Sequence, residues 1–237
     1  MRSAERRGPV AVSATADNGS LIEIFDVIAG CHAGLVETLV GMHRAAFPEH
    51  DFVSALILDR ASTNPTDPTR IVPHQWVVQV DGDTVGYFLF DSNVARGVAL
   101  SHYVHLSVTA GALTFGRTRL LPWVFRRIIE QLSRDCGDRQ VLGLVGEAPE
   151  YRVPIFRWIG LHDFGIEYYE PIHGPTWKGP HSELRRIHLL WMPPDGADDA
   201  ALREKAQEAG AAAFLLDFYR FEASEPWVAR AVGSNGG

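Results

Sequence analysis

The chain has 237 residues, of which 46% are hydrophobic and 22% are charged, and its formal net charge is −7. This length allows a full hydrophobic core, and the acidic balance argues against a general nucleic-acid binder. No apolar run approaches the roughly 20 residues that a membrane-spanning helix needs, and no apolar segment typical of a secretory signal follows the first arginines. The two cysteines have no C-x-x-C spacing, which predicts a reducing, cytoplasmic location.

The first third of the chain predicts a tail followed by one strand and two helices. Residues 1–20 are polar and predict a flexible tail. The hydrophobic pattern then predicts a strand over Leu21–Ala29 and helices over Gly34–Phe47 and Asp51–Ala61, with Asp51 as a helix cap. Ser62–Pro73 contains three prolines and predicts a long loop.

Three strands follow in an antiparallel meander. The pattern places them over Gln75–Val80, Thr84–Phe90 and Val98–Val108. The dipeptide Asp81-Gly82 between the first two predicts a tight hairpin turn. The polar triplet Asp91-Ser92-Asn93 predicts the end of the second strand.

The stretch from Ser101 to Glu130 predicts a strand, a loop and a helix. Two glycines lie in the loop Thr109–Gly116, and from Thr118 onward apolar residues recur at helical spacing. The first backbone N–H groups of a helix lack intrahelical partners and attract anions. With Arg117 and Arg119 nearby, the segment predicts a site for a pyrophosphate or a phosphopantetheine arm. The alternative is an ordinary strand-to-helix turn with solvated arginines.

The remaining residues predict a buried strand, a short helix, two further strands and a C-terminal helix. Pro154 lies in the first turn of the short helix, where proline is tolerated, and Gly160 fits its end. The last dozen residues predict a loose end. The buried strand is predicted over Arg139–Gly146 and the short helix over Tyr151–Leu161. The two further strands are predicted over Ile166–Ile172 and Arg186–Met192, and the C-terminal helix over Ala200–Phe221.

This order of elements over Leu21–Met192 resembles the GNAT-type acyltransferase superfamily. The resemblance implies an α/β fold, in which helices flank a mixed, largely antiparallel central sheet. The acyltransferase domain is thus expected over 21–192, between the flexible tail (1–20) and the C-terminal helical extension (193–237) that the residue pattern predicts.

The loop after the long strand is similar to the Q/R-x-x-G-x-G/A motif by which that family holds the pyrophosphate of coenzyme A. Gly116 matches, whereas Leu113 replaces the Gln or Arg and Thr118 replaces the small last residue. The resemblance implies acetyl-CoA or another acyl-CoA as co-substrate. It assigns its binding to Leu106, Val108, Leu113, Thr114, Gly116, Arg117, Thr118 and Arg119.

The family's last helix carries a tyrosine that protonates the leaving thiolate, and the matching position here is Phe156, which has no proton to donate. Tyr151 is the substitute candidate. For the general base, a neutral imidazole suits proton transfer near pH 7, which suggests His102 or His105. Glu147, at the end of the next strand, is a carboxylate option. A structural role on a strand is the alternative for each histidine.

Together these residues predict acyl transfer from a phosphopantetheine thioester to an amine of a small molecule or peptide. The mechanism needs no metal and no covalent enzyme intermediate, and no nucleic acid or membrane is expected as a partner. A homodimer is one option for the oligomeric state. Two alternatives remain open: an acyl carrier protein or a longer acyl-CoA as donor, and a GNAT-like protein that binds a ligand without catalysis.

Overall fold

The computed structural model describes residues 10–28, 31–63, 67, 69–172, 183–194 and 199–233. The chain forms two compact units, Met1–Asp91 with His102–Arg127 and Ser92–Ser101 with Ile128–Gly237. The elements in chain order are β1 (Val10–Thr15), β2 (Leu21–Asp26), α1 (Ala33–Ala46), α2 (Val53–Ser62), β3 (Ile71–Val80), β4 (Asp83–Asn93), β5 (Val98–Leu106), α3 (Val108–Gly111), β6 (Thr114–Phe115), β7 (Thr118–Arg119), α4 (Leu120–Cys136), β8 (Gly143–Ala148), α5 (Val153–Trp158), β9 (His162–Asp163), β10 (Tyr169–Pro171), β11 (Leu184–Arg186), β12 (His188–Met192), α6 (Ala200–Ala212) and α7 (Pro226–Ala231).

In the first unit, two helices cover a sheet whose strands follow the order β1-β2-β3-β4-β5. β2 pairs antiparallel with both β1 and β3. The apolar faces of α1 and α2 pack on β3 and β4 and form one core, which contains Val36, Leu39, Val40, Val53, Ile57, Val77, Tyr87 and Leu89. The predicted meander and its two preceding helices are therefore confirmed, but the prediction of Asp51 as a helix cap is wrong, because Phe52 precedes α2 and no side chain caps it.

In the second unit, the strand order is β5-β8-β12-β9. The first residues of β5 run parallel to β8, from Val98 opposite Gly143 to Ser101 opposite Gly146. β12 pairs antiparallel with β8 and with β9. β8 has a partner on each side and is largely buried, so the predicted buried strand is confirmed, but it covers Gly143–Ala148 and not Arg139–Gly146. The sheet is mixed and mostly antiparallel, as predicted.

The N-terminal prediction is wrong from Val10 onward. β1 pairs along β2, from Val10 opposite Phe25 to Thr15 opposite Leu21. The segment VAVSAT shows only modest burial, because an edge strand is held mainly by its backbone ladder and needs few apolar side chains. Residues 1–9 of the predicted tail lie outside the described residues.

The C-terminal segment is also not a separate extension. α6 continues into a π-helix over Ala213–Phe218, and both contribute to the core of the second unit. Gly210 explains the close approach, because a Cβ added there would lie 2.8 Å from Val145 Cγ1 on β8. α7 buries Val228 completely, so the predicted loose end is wrong for this helix.

Several boundaries differ from the predictions because buried polar residues mislead a hydrophobic pattern. β4 runs through Asp91, Ser92 and Asn93, which are all buried, and the chain reverses later, near Gly97 with φ 70°. Ile71–Val80 forms one strand, so the predicted proline-rich loop ends earlier. Within that loop, residues 64–66 and 68 lie outside the described part of the chain.

Later segments are shorter or divided. The predicted strand Arg186–Met192 belongs to two strands, since β11 ends at Arg186 and β12 begins at His188. β10 covers only Tyr169–Pro171 of the predicted Ile166–Ile172, and it pairs with β11 in a separate two-stranded sheet. α5 is shorter than predicted, but Pro154 lies in its first turn and Gly160 follows it with φ 98°, as expected.

The Asp81-Gly82 turn is confirmed in its backbone geometry. Both residues have positive φ, 51° and 90°, as a type I′ hairpin turn requires. None of the helices in the described part of the chain combines the length and the apolar character needed to cross a bilayer.

Candidate active site

A carboxylate held by two phenols lies at the end of β8. Tyr168 donates a hydrogen bond to Oε1 of Glu147 at 2.6 Å, and Tyr219 donates to Oε2 at the same distance. Both tyrosine rings are buried. Each carboxylate oxygen thus has its own donor, and the orientation of the carboxylate is fixed.

A second carboxylate, Glu170, lies close enough to act on the first. It is 4% exposed, and Arg185, its cross-strand partner between β10 and β11, contacts it at 2.6–2.7 Å. Because this guanidinium lies on Glu170, we place the negative charge there and the shared proton on Glu147. Two neighbouring carboxylates do not readily ionise together.

These surroundings raise the pKa of Glu147 from 4.5 to about 8. Burial is the largest cause, and the charge of Glu170 adds to it; the hydrogen bonds from Tyr168 and Tyr219 and the charge of Arg185 act in the opposite direction. Burial also raises the pKa of Glu170, and Arg185 and a hydrogen bond from Tyr219 partly offset this effect. A carboxyl group with a pKa near 8 exchanges its proton under physiological conditions, which is the property of a general acid or base.

Three separate segments bring Glu147 and the two phenols together. Glu147 lies opposite Leu189 in the β8–β12 ladder. Tyr168 immediately precedes β10, and its carbonyl accepts a hydrogen bond from the N–H of Ile187 at 3.1 Å. Tyr219 follows the π-helix. The cluster therefore depends on three segments that are distant in sequence but belong to the second unit.

The first unit contains a different charged cluster around Asp91. Nε2 of His102 lies 3.0 Å from Asp91 Oδ2, and Arg60 contacts both oxygens of Asp91 at 2.9–3.0 Å. Burial alone raises the pKa of Asp91, but the charges of Arg60 and His102 and their hydrogen bonds more than offset it and hold the pKa well below its usual range. His102 is thus the imidazole of a carboxylate–histidine pair.

The other two predicted catalytic residues have different surroundings. His105 is half-buried on β5, with its ring 6.0 Å from that of Tyr87. Tyr151 is 73% exposed, and the guanidinium of Arg152 lies 5.7 Å from its ring centroid. His102 and His105 belong to the first unit, whereas Glu147 and Tyr151 belong to the second. The catalytic roles of all four remain predictions.

The predicted pyrophosphate loop has a structure that sequence analysis missed. Residues 114–119 form a hairpin, in which Thr114 pairs with Arg119 and Phe115 with Thr118. Gly116 is at its turn with φ 61°, as the first central residue of a type II′ turn requires. The helix begins at Leu120, so the prediction of a helix from Thr118 is wrong, and the hairpin intervenes between glycine and helix.

Three of the expected anion donors already have acceptors within the chain. The N–H of Gly116 donates to Asp17 Oδ1 at 2.9 Å, and Thr114 Oγ1 donates to Oδ2 of the same residue at 2.8 Å. The N–H of Leu120 donates to the carbonyl of Leu113 at 2.9 Å. A carboxylate of this chain thus lies where the sequence predicted a phosphate oxygen.

The other predicted donor-binding residues are spread along the same segment. Leu106, the last residue of β5, is half-buried, and so are Leu113 and Thr118. Val108 is 93% exposed at the start of α3. Arg117 and Arg119 are exposed on the hairpin. Their roles in binding remain predictions.

Sequence analysis missed several residues of these clusters. Asp91 was interpreted as the end of a strand and Tyr219 as part of the C-terminal helical extension, and Arg60 and Arg185 were assigned no role in a site. No short motif contains them, because each acquires its partner from a distant segment. Among the described residues, no group of three or more His, Cys, Asp or Glu side chains is arranged to hold a metal ion.

No protein-family model matches the sequence, and no curated protein sequence matches it either. Solved structures do match. A protein from Bacteroides thetaiotaomicron, described as an acetyltransferase of the GNAT family, aligns with a TM-score of 0.51 at 12% identity, over 84% of this chain and 99% of that one.

Two further structures align less closely. A spermidine N-acetyltransferase SpeG chimera from Vibrio cholerae and hSSAT gives a TM-score of 0.45 at 8% identity, over 73% of this chain and 96% of that one. The catalytic domain of Tetrahymena GCN5 histone acetyltransferase, solved with coenzyme A, gives 0.41 at 13% identity, over 74% and 94%. The first of the three alignments shows the fold: this chain has the GNAT-type acyltransferase fold.

Proposed function

We propose that the protein is an acyl-CoA-dependent N-acyltransferase that moves an acyl group from a phosphopantetheine thioester to the amine of a small molecule or peptide. The observation that carries the proposal is Glu147, a carboxylate fixed by two phenols, whose pKa is raised to about 8. The fold supports the reaction class, and Glu147 is the residue suited to the proton transfer that the reaction requires.

In this mechanism ionised Glu147 takes a proton from the acceptor ammonium. The neutral amine then attacks the thioester carbonyl carbon and the C–N bond forms. As the C–S bond breaks, the proton that the nitrogen loses passes to the thiolate to give the thiol, and the proton on Glu147 returns to water. Since Glu147 acts only when ionised, the rate is expected to rise with pH through the region of its pKa. His102 is the second candidate for the base, because Asp91 orients its ring as carboxylates orient catalytic histidines.

The test of the reaction is thiol release from acetyl-CoA in the presence of a panel of amines. Polyamines, amino acids and short peptides represent the acceptor classes, and acyl-CoA esters of increasing length represent the donors. Mass spectrometry of the products identifies the amide. Absence of thiol release above the uncatalysed background with every pair of substrates would contradict the proposal.

The donor side is tested separately at Gly116. A Cβ at this position meets no heavy atom within 4 Å, but φ is 61°, so every side chain there strains the backbone. Gly116→Glu adds a charge beside Asp17, whereas Gly116→Ala adds only the strain. We expect calorimetry to show loss of acetyl-CoA binding with Glu and retention with Ala. Equal binding by both variants would show that the hairpin does not hold the pyrophosphate.

A non-catalytic ligand-binding protein of the same fold is the second candidate. Two observations favour it: Phe156 stands where the family's acid is expected, and Asp17 accepts the N–H of Gly116. Binding of acetyl-CoA without turnover of any amine would support this alternative. The main proposal also places the protein in the cytoplasm, with a homodimer as one option for its oligomeric state. It includes no nucleic acid and no membrane as a partner.

A further inference from the structure

A tyrosine near the C-terminal end of the chain contacts the candidate base. Tyr219 is 2% exposed, and its hydroxyl lies 2.6 Å from Glu147 Oε2. The aromatic rings that enclose it belong to Phe214, Phe218 and Phe221. Such packing leaves the phenol little freedom to turn away from the carboxylate.

The backbone around Tyr219 is unusual on both sides. The preceding six residues form a π-helix, a rare wide turn, and the N–H of Tyr219 closes onto the carbonyl of Phe214 at 2.8 Å. The next residue, Arg220, has φ 62°, which is costly for a residue with a side chain. Packing alone does not require a hydroxyl, because a phenylalanine would fill the same space. The geometry directs the hydroxyl to Glu147.

We infer that Tyr219 is a positioning residue for Glu147, so that the C-terminal segment completes the site. The inference rests on the proposed function, in which Glu147 is the base. With Tyr168 on Oε1 and Tyr219 on Oε2, rotation of the carboxylate breaks two hydrogen bonds at once. The phenol also donates to the ionised form, and therefore it favours the state that accepts a proton.

The charged and titratable groups that face Glu147 come from each element packed around it. Tyr168 and Glu170 come from the β10 region, Arg185 from β11, and Tyr219 from the segment after α6. Of these, Tyr219 can be replaced by phenylalanine without changing the net charge, whereas Glu170 and Arg185 are paired with each other and changing either changes it. Tyr219 also hydrogen-bonds Glu170, so the titration of both carboxyl groups is followed.

The experiment is a pH titration of the Glu147 carboxyl by carbon-13 NMR of protein labelled in its glutamates. The Glu147 signal is identified by its absence from Glu147→Gln. In Tyr219→Phe we expect a higher titration midpoint, because the ionised form loses one donor. The pH dependence of kcat/KM should move in the same direction, with KM for acetyl-CoA unchanged. Tyr169→Phe, which removes a hydroxyl bonded to exposed Glu167, should shift neither.

A second variant gives the opposite sign and preserves the shape of the ring. Incorporation of 3-fluorotyrosine at position 219 makes the phenol more acidic and a stronger donor, so the midpoint should fall. The fluorotyrosine protein tests the inference even if the Tyr219→Phe variant does not fold. An unchanged midpoint with fluorotyrosine overturns the inference, whether or not the protein is an active enzyme. A shifted midpoint in a protein that transfers no acyl group supports the contact between Tyr219 and Glu147, and it overturns the proposed function instead.

Discussion

Two carboxylates, one in each unit, have pKa values that shift in opposite directions, although burial of Asp91 and half-burial of Glu147 act on both in the same sense. Asp91 lies between a guanidinium and an imidazole, and its pKa is held well below the usual range although burial acts to raise it. Glu147 lies between two neutral phenols and beside a second carboxylate, and its pKa rises to about 8. Burial penalises the charged form of both groups, so the charge of the partners decides the outcome.

This difference in pKa gives the two carboxylates different roles. The lowered pKa keeps Asp91 ionised near neutral pH, where it contacts Arg60 and His102. Glu147 exchanges its proton near neutrality. The following predictions test this contrast, from the largest expected effect to the smallest.

Replacement of Glu147 by glutamine keeps the shape of the side chain and removes its proton exchange. We expect kcat/KM for acyl transfer to fall by roughly 10²–10⁴-fold, the usual contribution of a general base, with acetyl-CoA affinity unchanged. Initial rates of thiol release measure the change, and Glu167→Gln, an exposed carboxylate of the same unit, is the control. If the rate survives in Glu147→Gln and is lost in His102→Asn, the base is His102.

Removal of the cation from Asp91 should destabilise the first unit. Arg60→Met leaves a buried carboxylate with one partner fewer, and loss of one member of a buried ion pair costs about 3–5 kcal/mol. Urea unfolding measures the free energy. Arg44→Met is the control, because the Arg44–Asp51 pair is exposed and such pairs contribute little. Equal stability of the two variants would show that Asp91 does not depend on Arg60.

The contributions of Glu147 and Asp91 to the free energy of unfolding should depend on pH with opposite sign. The folded-state pKa of Glu147 exceeds its unfolded value, so the folded protein binds the extra proton, and this stabilisation is lost as pH rises from about 4.5 to 8 at up to about 1.4 kcal/mol per pH unit. The folded-state pKa of Asp91 is lowered, so its contribution is present above its unfolded pKa and is lost as the pH falls toward the folded one.

The measurement is the unfolding free energy of the protein minus that of Glu147→Gln and of Asp91→Asn, across pH 3–9. The Glu147 difference should decrease toward alkaline pH, and the Asp91 difference should decrease toward acid pH. The same sign for both would contradict the assignment of partners.

The smallest effect is expected at Arg185. The positive charge of Arg185, which contacts Glu170, lowers the pKa of Glu147. This effect should be small, because the side chain of Arg185 is 47% exposed and water screens its charge. Arg185→Gln should therefore raise the titration midpoint of Glu147 slightly, as followed by carbon-13 NMR. Arg186→Gln, on the neighbouring exposed position, is the control, and a fall of the midpoint in Arg185→Gln would contradict the arrangement.

Local chemistry determined much of the fold in advance. The Asp81-Gly82 turn, the apolar faces of α1 and α2, the buried strand β8 and the proline at the start of α5 all follow from periodicity and backbone preference, which act between near neighbours. The order of these elements is similar to the GNAT superfamily, and the structural match confirms that fold. Glu147 was also chosen from sequence, as a carboxylate at the end of a strand.

The tertiary structure alone decided what surrounds that carboxylate. The two phenols that contact Glu147, Tyr168 and Tyr219, lie 21 and 72 residues from it in the sequence. Glu170 and Arg185 also come from other segments, and no local pattern encodes such separations. The same holds for Asp17 on Gly116, 99 residues apart. A pKa is a property of the partners brought together by folding, so the sequence by itself named the group, and the packing of distant segments set its chemistry.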